Sequence, residues 1–328
     1  MRKLFALCVL LLIGFAGWVA FCLVVPAGPS QQTFVEFKNG SSARRIASEL
    51  KQAGIIRSRS AFLVLHLFRR SSLKAGEYEF DHPEGLAEVY RHIAHGDTYA
   101  RVLVVPEGYN IFDIAAASEK LGIDSQQNFL EQVRRQTALI RDLDPQAPTL
   151  EGYLYPDTYR VPRKEKSPDL IAAMVKRFHQ EARLLGLSGD VHRVVTMASI
   201  VEKETAVPEE RPVVAGVFYN RLAQHIALDT DPSVIYAALL ANRYRGTIYA
   251  SDLHYTSPYN TYRNAGLPPG PIANPGKDSL LAALHPANTD YLYFVSDNQG
   301  HHRFSRTLEE HHRNVAEYRR AVGGGGGR

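Results

Sequence analysis

Residues 4–25 (LFALCVLLLIGFAGWVAFCLVV) form an apolar run without a single charge. As a helix at 1.5 Å per residue, roughly 22 positions reach about 33 Å, the thickness of a bilayer's hydrocarbon core. The run therefore predicts one membrane-spanning helix. It exceeds the apolar core of a cleaved signal peptide, and Val25-Pro26-Ala27-Gly28 is a poor cleavage site, so the segment is read as an anchor that stays attached. After a polar linker over 26–33 the pattern changes to short alternating strands and amphipathic helices. FVEFKNGSSARRIASELKQAGI, from Phe34, lines up with RVLVVPEGYNIFDIAAASEKLGI, from Arg101. Gly40 and Gly108, Ile46 and Ile114, Ala47 and Ala115, Gly54 and Gly122, and Ile55 and Ile123 all stand 68 apart (108 − 40 = 68). Each copy predicts a strand, a glycine turn, a helix begun at Ser42 or Asn110, and a glycine stop. The first copy continues with a helix over 61–68, a strand over 74–80 and a helix over 85–94. Beyond residue 150, helices alternate with Pro/Gly loops, and the glycine run 323–327 reads as a flexible end. The predicted fold class is α+β: an N-terminal single transmembrane helix, a small α+β module and a helix-rich α+β domain. The expected layout is a short N-terminus (1–3), anchor (4–25), linker (26–33), small module (34–98), second βα unit and connection (99–149), main domain (150–321) and tail (322–328).

Composition narrows the chemistry. At 45% hydrophobic and 22% charged residues the chain is an ordinary globular one, and a net charge of +4 spread along the sequence leaves no basic stripe for nucleic acid. Both cysteines, Cys8 and Cys22, lie inside the apolar run, so the remainder holds no disulfide framework and no cysteine metal site. Arg2 and Lys3 precede the anchor and no Lys or Arg follows until Lys38. The positive-inside bias then keeps the N-terminus in the cytoplasm and puts the rest on the outer, periplasmic face of the plasma (inner) membrane, away from ATP and NAD.

The segment 194–208, VVTMASIVEKETAVP, reads as a helix closed by Pro208, with Glu202 and Glu204 near its end. At 100° per residue Glu204 falls roughly 70° and Glu202 roughly 90° from the apolar centre, so periodicity does not choose between them. On such a border partial desolvation raises a carboxyl pKa, the condition for a general acid at neutral pH. Asp231 before Pro232 reads as an N-cap, and Asn274 before Pro275 likewise. The long loop 255–276 carries Tyr259, Asn260 and Tyr262, side chains suited to stacking on and hydrogen-bonding sugars, and predicts a glycan groove. His301, His302, His311 and His312 lack metal-ligand spacing, DNQG over 297–300 reads as a hairpin turn, and no nucleophile-elbow, Walker or dinucleotide motif occurs in a plausible context. No metal and no cofactor is expected, which leaves carboxylate chemistry.

Two resemblances extend this reading. The opening V-x-F-x-x-G-x-S-x-x-x-I-A-x-x-L pattern of the small module resembles a LysM-type sugar-binding module. Seven motifs in one order, LEGYLYPDTY, MASIVEKET, VFYNRL, LDTDPSVIYA, YNTYRNAGLPPGPIANPG, ALHPANTDYLYFV and HRFSRTLEEHH, resemble the endolytic murein transglycosylases, the MltG or YceG-like family. That resemblance implies that residues 150–321 are the catalytic domain and that the second glutamate of E-K-E-T, Glu204, is the catalytic residue. It also implies cleavage of the β-1,4 bond between N-acetylmuramic acid and N-acetylglucosamine within glycan strands, leaving 1,6-anhydromuramic ends. The sugar's own 6-hydroxyl serves as nucleophile, so one carboxyl acts as acid and then base, where ordinary glycosidases need two. Asn220, Asp231, Asn260 and Tyr262 are the candidates for orienting substrate. The implied partners are peptidoglycan strands and inner-membrane peptidoglycan synthases. The rival readings are a muramidase that uses water and a non-catalytic glycan-binding scaffold.

Overall fold

The structure is a computed structural model that describes residues 2–323; the tail from residue 324 lies outside the described residues. The chain divides into two compact units, Met1–Arg101 and Val102–Arg328. The first begins with α1 (Arg2–Val24), the one described helix long and apolar enough to cross a membrane. Most of its side chains are exposed, but its last turns enter the unit's core: Cys22 is buried, and the Arg57 guanidinium sits over the Phe21 ring and donates to the Pro26 carbonyl at 2.8 Å. There follow β1 (Thr33–Phe37), α2 (Ala43–Gln52), α3 (Arg59–Arg69), β2 (Gly76–Phe80) and α4 (Leu86–His95). β1 and β2 pair antiparallel with Val35 opposite Tyr78, and both side chains turn into the core.

The second unit contains β3 (Arg101–Val104), α5 (Ile111–Lys120), α6 (Gln126–Arg135), β4 (Thr158–Val161), α7 (Ser167–Leu184), α8 (Val191–Glu204), α9 (Arg211–Ala223), α10 (Asp231–Leu240), the single turn α11 (Ala250–Leu253), α12 (Lys277–Leu284), β5 (Tyr293–Ser296), β6 (His302–Ser305) and α13 (Leu308–Gly323). The internal repeat recurs in the backbone. Gly40 and Gly108 have φ of 79° and 77°, Gly54 and Gly122 have 74° and 65°, and Ser42 and Asn110 each cap the following helix. A Cβ would meet nothing at Gly40, Gly54 or Gly122, so glycine is required there for its left-handed conformation rather than for space.

No core boundary falls at residues 149–150. β3 pairs with β4, and one continuous core runs from Leu103 to Ala283, so 102–149 belongs with the rest of the second unit. Asn274 is one of the ties. It does not cap α12, whose N-cap is Gly276; its Oδ1 accepts from Leu154 N–H at 2.9 Å and its amide donates to the Tyr109 carbonyl and to Glu151. Glu151 is buried and also accepts from Ile111 N–H at 2.9 Å; burial pushes its carboxyl up to about 8.

α8 is the centre of this unit. Every residue from Val195 through Val201 is buried, so the helix is enclosed on all sides. It packs against α9, α10 and α12. The helix stops at Glu204, not at Pro208, because Thr205 is extended and its Oγ1 accepts from Val207 N–H at 3.1 Å; Pro208 instead opens a 3₁₀ turn into α9.

Candidate active site

A cavity of about 580 Å³ opens beside the C-terminal end of α8. Glu204 lines it, and so do Arg221 from α9, Asp229 and Asp231 at the start of α10, and Tyr262 from the long loop. The rest of the lining comes mainly from β5 and from α13.

The two glutamates of α8 have different surroundings. Glu202 turns away into an ion-pair network, accepting from Arg211 at 3.1 Å and from Gly276 N–H at 2.9 Å, with both charged side chains almost fully covered (5% and 8% exposed). Glu204 faces the cavity, and its carboxyl is pushed up to about 8, chiefly by burial and next by the Asp231 charge, with Arg221 pulling the other way. The partial negative charge at a helix C-terminus acts in the same direction as burial. At pH 7 this group is therefore mainly protonated, the state a general acid needs.

Asp231 is not the cap of α10. Thr230 holds that position, Asp231 is the first helical residue, and its carboxylate accepts from the Tyr262 hydroxyl at 2.8 Å. Burial and the bond to Asp231 raise the Tyr262 phenol. Tyr262 is 37% exposed and is the one residue of the 255–276 loop on this cavity, which is narrower than the groove expected from loop composition. Among the expected site residues, then, Glu204, Asp231 and Tyr262 meet. Asn220 and Asn260 do not. Asn260 is fully buried; its amide holds the Leu253 and Tyr255 carbonyls and its Oδ1 takes the Tyr262 N–H, which fixes the turn carrying Tyr262. Asn220 donates to the Thr289 and Tyr291 carbonyls, fastening the segment that enters β5.

Arg221, beside Asn220 in VFYNRL, is the cavity residue that sequence reasoning missed. Its Nε donates to the Leu292 carbonyl at 2.7 Å, its Nη1 reaches the Ala227 and Leu228 carbonyls at 2.9 Å, and it pairs with Asp229 at 3.4 Å. Nothing local marked it over its neighbour Asn220, because which of two adjacent helix residues reaches the cavity is set by how α9 packs. His311 from α13 stacks on Tyr293 with ring centres 5.1 Å apart; burial and the Arg221 charge hold its pKa below the usual value. His302 is tied to Glu210 at 2.6 Å, and the DNQG hairpin joins β5 to β6 with Asn298 and Gly300 at positive φ. Among the described residues no group of three or more His, Cys, Asp or Glu is arranged to hold a metal ion.

A protonated helix-end glutamate, a neighbouring aspartate and a fixed arginine in one cleft make an acid–base site for polar substrates. The YceG-like family matches residues 35–317, and the chain belongs to that family. An endolytic murein transglycosylase of Bacillus subtilis is 36% identical over 332 residues, covering 94% of this chain and 91% of the relative. A protein of the same name from Streptococcus pneumoniae is 30% identical over 331 residues, covering 90% of this chain and 60% of its own length. The crystal structure of a YceG-like protein from Listeria monocytogenes superposes with a TM-score of 0.57 at 34% identity, over 87% of this chain and 99% of that one.

Proposed function

We propose that this chain is a membrane-anchored lytic transglycosylase that cuts the β-1,4 bond between N-acetylmuramic acid and N-acetylglucosamine inside peptidoglycan strands. The observation that carries the reading is the raised carboxyl of Glu204 in the cavity, supported by the names of the relatives. Protonated Glu204 donates to the glycosidic oxygen as the bond to the muramyl C1 breaks, releasing the N-acetylglucosamine end as an alcohol. The oxocarbenium charge develops within reach of the Asp231 carboxylate, and Arg221 stabilises the Glu204 carboxylate formed at that moment. Glu204 then takes the proton from the muramyl 6-hydroxyl as that oxygen bonds to C1, closing a 1,6-anhydro ring. No water is consumed. The βααβ order of the first unit fits the sugar-binding resemblance of its sequence, and we read it as a second contact for the strand.

Mass spectrometry of digests of purified peptidoglycan tests the chemistry. Fragments should be lighter by one water than hydrolytic fragments, with muramyl ends that resist borohydride, and mixed oligomers should appear early. Asp231 supplies a specific ground for a second reading: a carboxylate beside Glu204 is where a muramidase would activate water. Borohydride-reducible muramyl ends in the same digest would move the protein to that reading.

A further inference from the structure

The α13 wall of the cavity is one helical stripe. Leu308, His311, His312, Val315 and Arg319 recur three or four positions apart and all line the cavity with Glu204. From Leu308 to Arg319 the stripe runs roughly 16 Å, longer than the reacting bond needs. The helix is held in place by the His311–Tyr293 stack and by the Asn314 amide on Ser305 Oγ at 2.9 Å. Arg319 is exposed and has no hydrogen bond or ion pair with another described residue. The other cavity arginine has its Nε and Nη1 committed to three carbonyls and Asp229. The carboxylates Asp229 and Asp231 come from the stretch that opens α10, where Arg221 is already paired with Asp229, and the uncommitted guanidinium lies on α13. A negatively charged substituent finds Arg221 engaged and a bidentate donor open on α13.

We propose that Arg319 forms an anion subsite of this cavity, taking a carboxylate carried on the lactyl arm of the muramyl residue. The anion is either the lactyl carboxylate of a bare strand or a carboxylate of the attached stem peptide. Val315, one turn before Arg319 and partly buried, gives the arm an apolar contact. The subsite fixes which muramyl residues enter and which way the strand lies. It rests on the transglycosylase reading for its substrate, and its test separates the two.

The full-length protein in detergent is given three strand preparations: peptide-bearing strands, strands stripped by an amidase to the free lactyl carboxylate, and stripped strands whose carboxylate is converted to a neutral amide. Wild type should show kcat/KM on a charged preparation at least about tenfold above the neutral one, as a charge-assisted hydrogen bond implies. Arg319→Gln should bring that ratio close to one, and Arg319→Lys, which keeps the charge but not the fork, should restore part of it. Preference for peptide-bearing strands assigns the anion to the peptide; preference for stripped strands assigns it to the lactyl group. A wild-type ratio near one overturns the proposal, as does an Arg319→Gln protein whose rates on all three fall alike. Binding of the same strands to Glu204→Gln protein reads the ratio without turnover, so failure of the proposed chemistry and failure of the subsite give different results.

Discussion

Glu202 and Glu204 stand two residues apart on α8 and are set to different tasks by what faces them. Replacing Glu204 by Gln keeps the shape and removes both proton donation and acceptance, so turnover should fall by about a thousandfold or more with the thermal transition retained. Glu202→Gln should do the reverse: it weakens a covered ion pair to Arg211 and lowers stability by about 2 kcal/mol while kcat/KM stays within several-fold of wild type. The opposite ranking in a strand-cleavage assay would reverse the assignment. A pH dependence follows as well. Glu204 with a pKa of about 8 is active in its protonated form, so kcat/KM should decline as pH rises through about 8. The stability sign is the same: between the unfolded value near 4.5 and about 8 the folded state keeps a proton that the unfolded state has lost, so stability declines as pH rises across that window. Glu204→Gln should shallow this decline in denaturant titrations, and Glu151, shifted in the same direction, accounts for part of what remains.

Single elements place these residues. α9 passes so close to the stretch before β5 that a Cβ on Gly216 would come 2.6 Å from the Ala287 carbonyl oxygen. Asn220, one turn later, fastens that stretch through the Thr289 and Tyr291 carbonyls, and Arg221 grips Leu292. Gly216→Ala should therefore destabilise by about 1–3 kcal/mol. It should also lower kcat/KM by displacing the β5 wall, seen as a lower urea midpoint together with slower strand cleavage. A variant with an unchanged midpoint would show that the contact relaxes freely.

For the whole molecule, the anchor reading carries a topological consequence. α1 ends inside the core of the first unit rather than on a free linker, since Cys22 and Leu23 pack there and Arg57 closes over Phe21 and Pro26. Cleavage at the end of this helix would remove core side chains. On the positive-inside reading of Arg2 and Lys3, a reporter fused after residue 320 should be active only outside the cytoplasm. A shortened soluble form released by signal peptidase would contradict the anchor.

Short-range physics was legible in the residues themselves. The length of the apolar run, the repeat with its left-handed glycines, the caps at Ser42 and Asn110 and the DNQG hairpin each depend on neighbours within a few positions. Glu204 was reached through motif resemblance, because a helix buried on every side has no amphipathic border to read. Tertiary structure decided what those local rules do not contain. It turned Asn260 and Asn274 inward, since one amide satisfies both a carbonyl and an N–H that burial would otherwise strand, and it set Asn220 on two carbonyls before β5. It joined Tyr262 to Asp231, 31 residues apart, and brought Arg221 and the α13 stripe to the cavity of Glu204. Those meetings are made by packing between distant elements, which neither helical nor strand periodicity records.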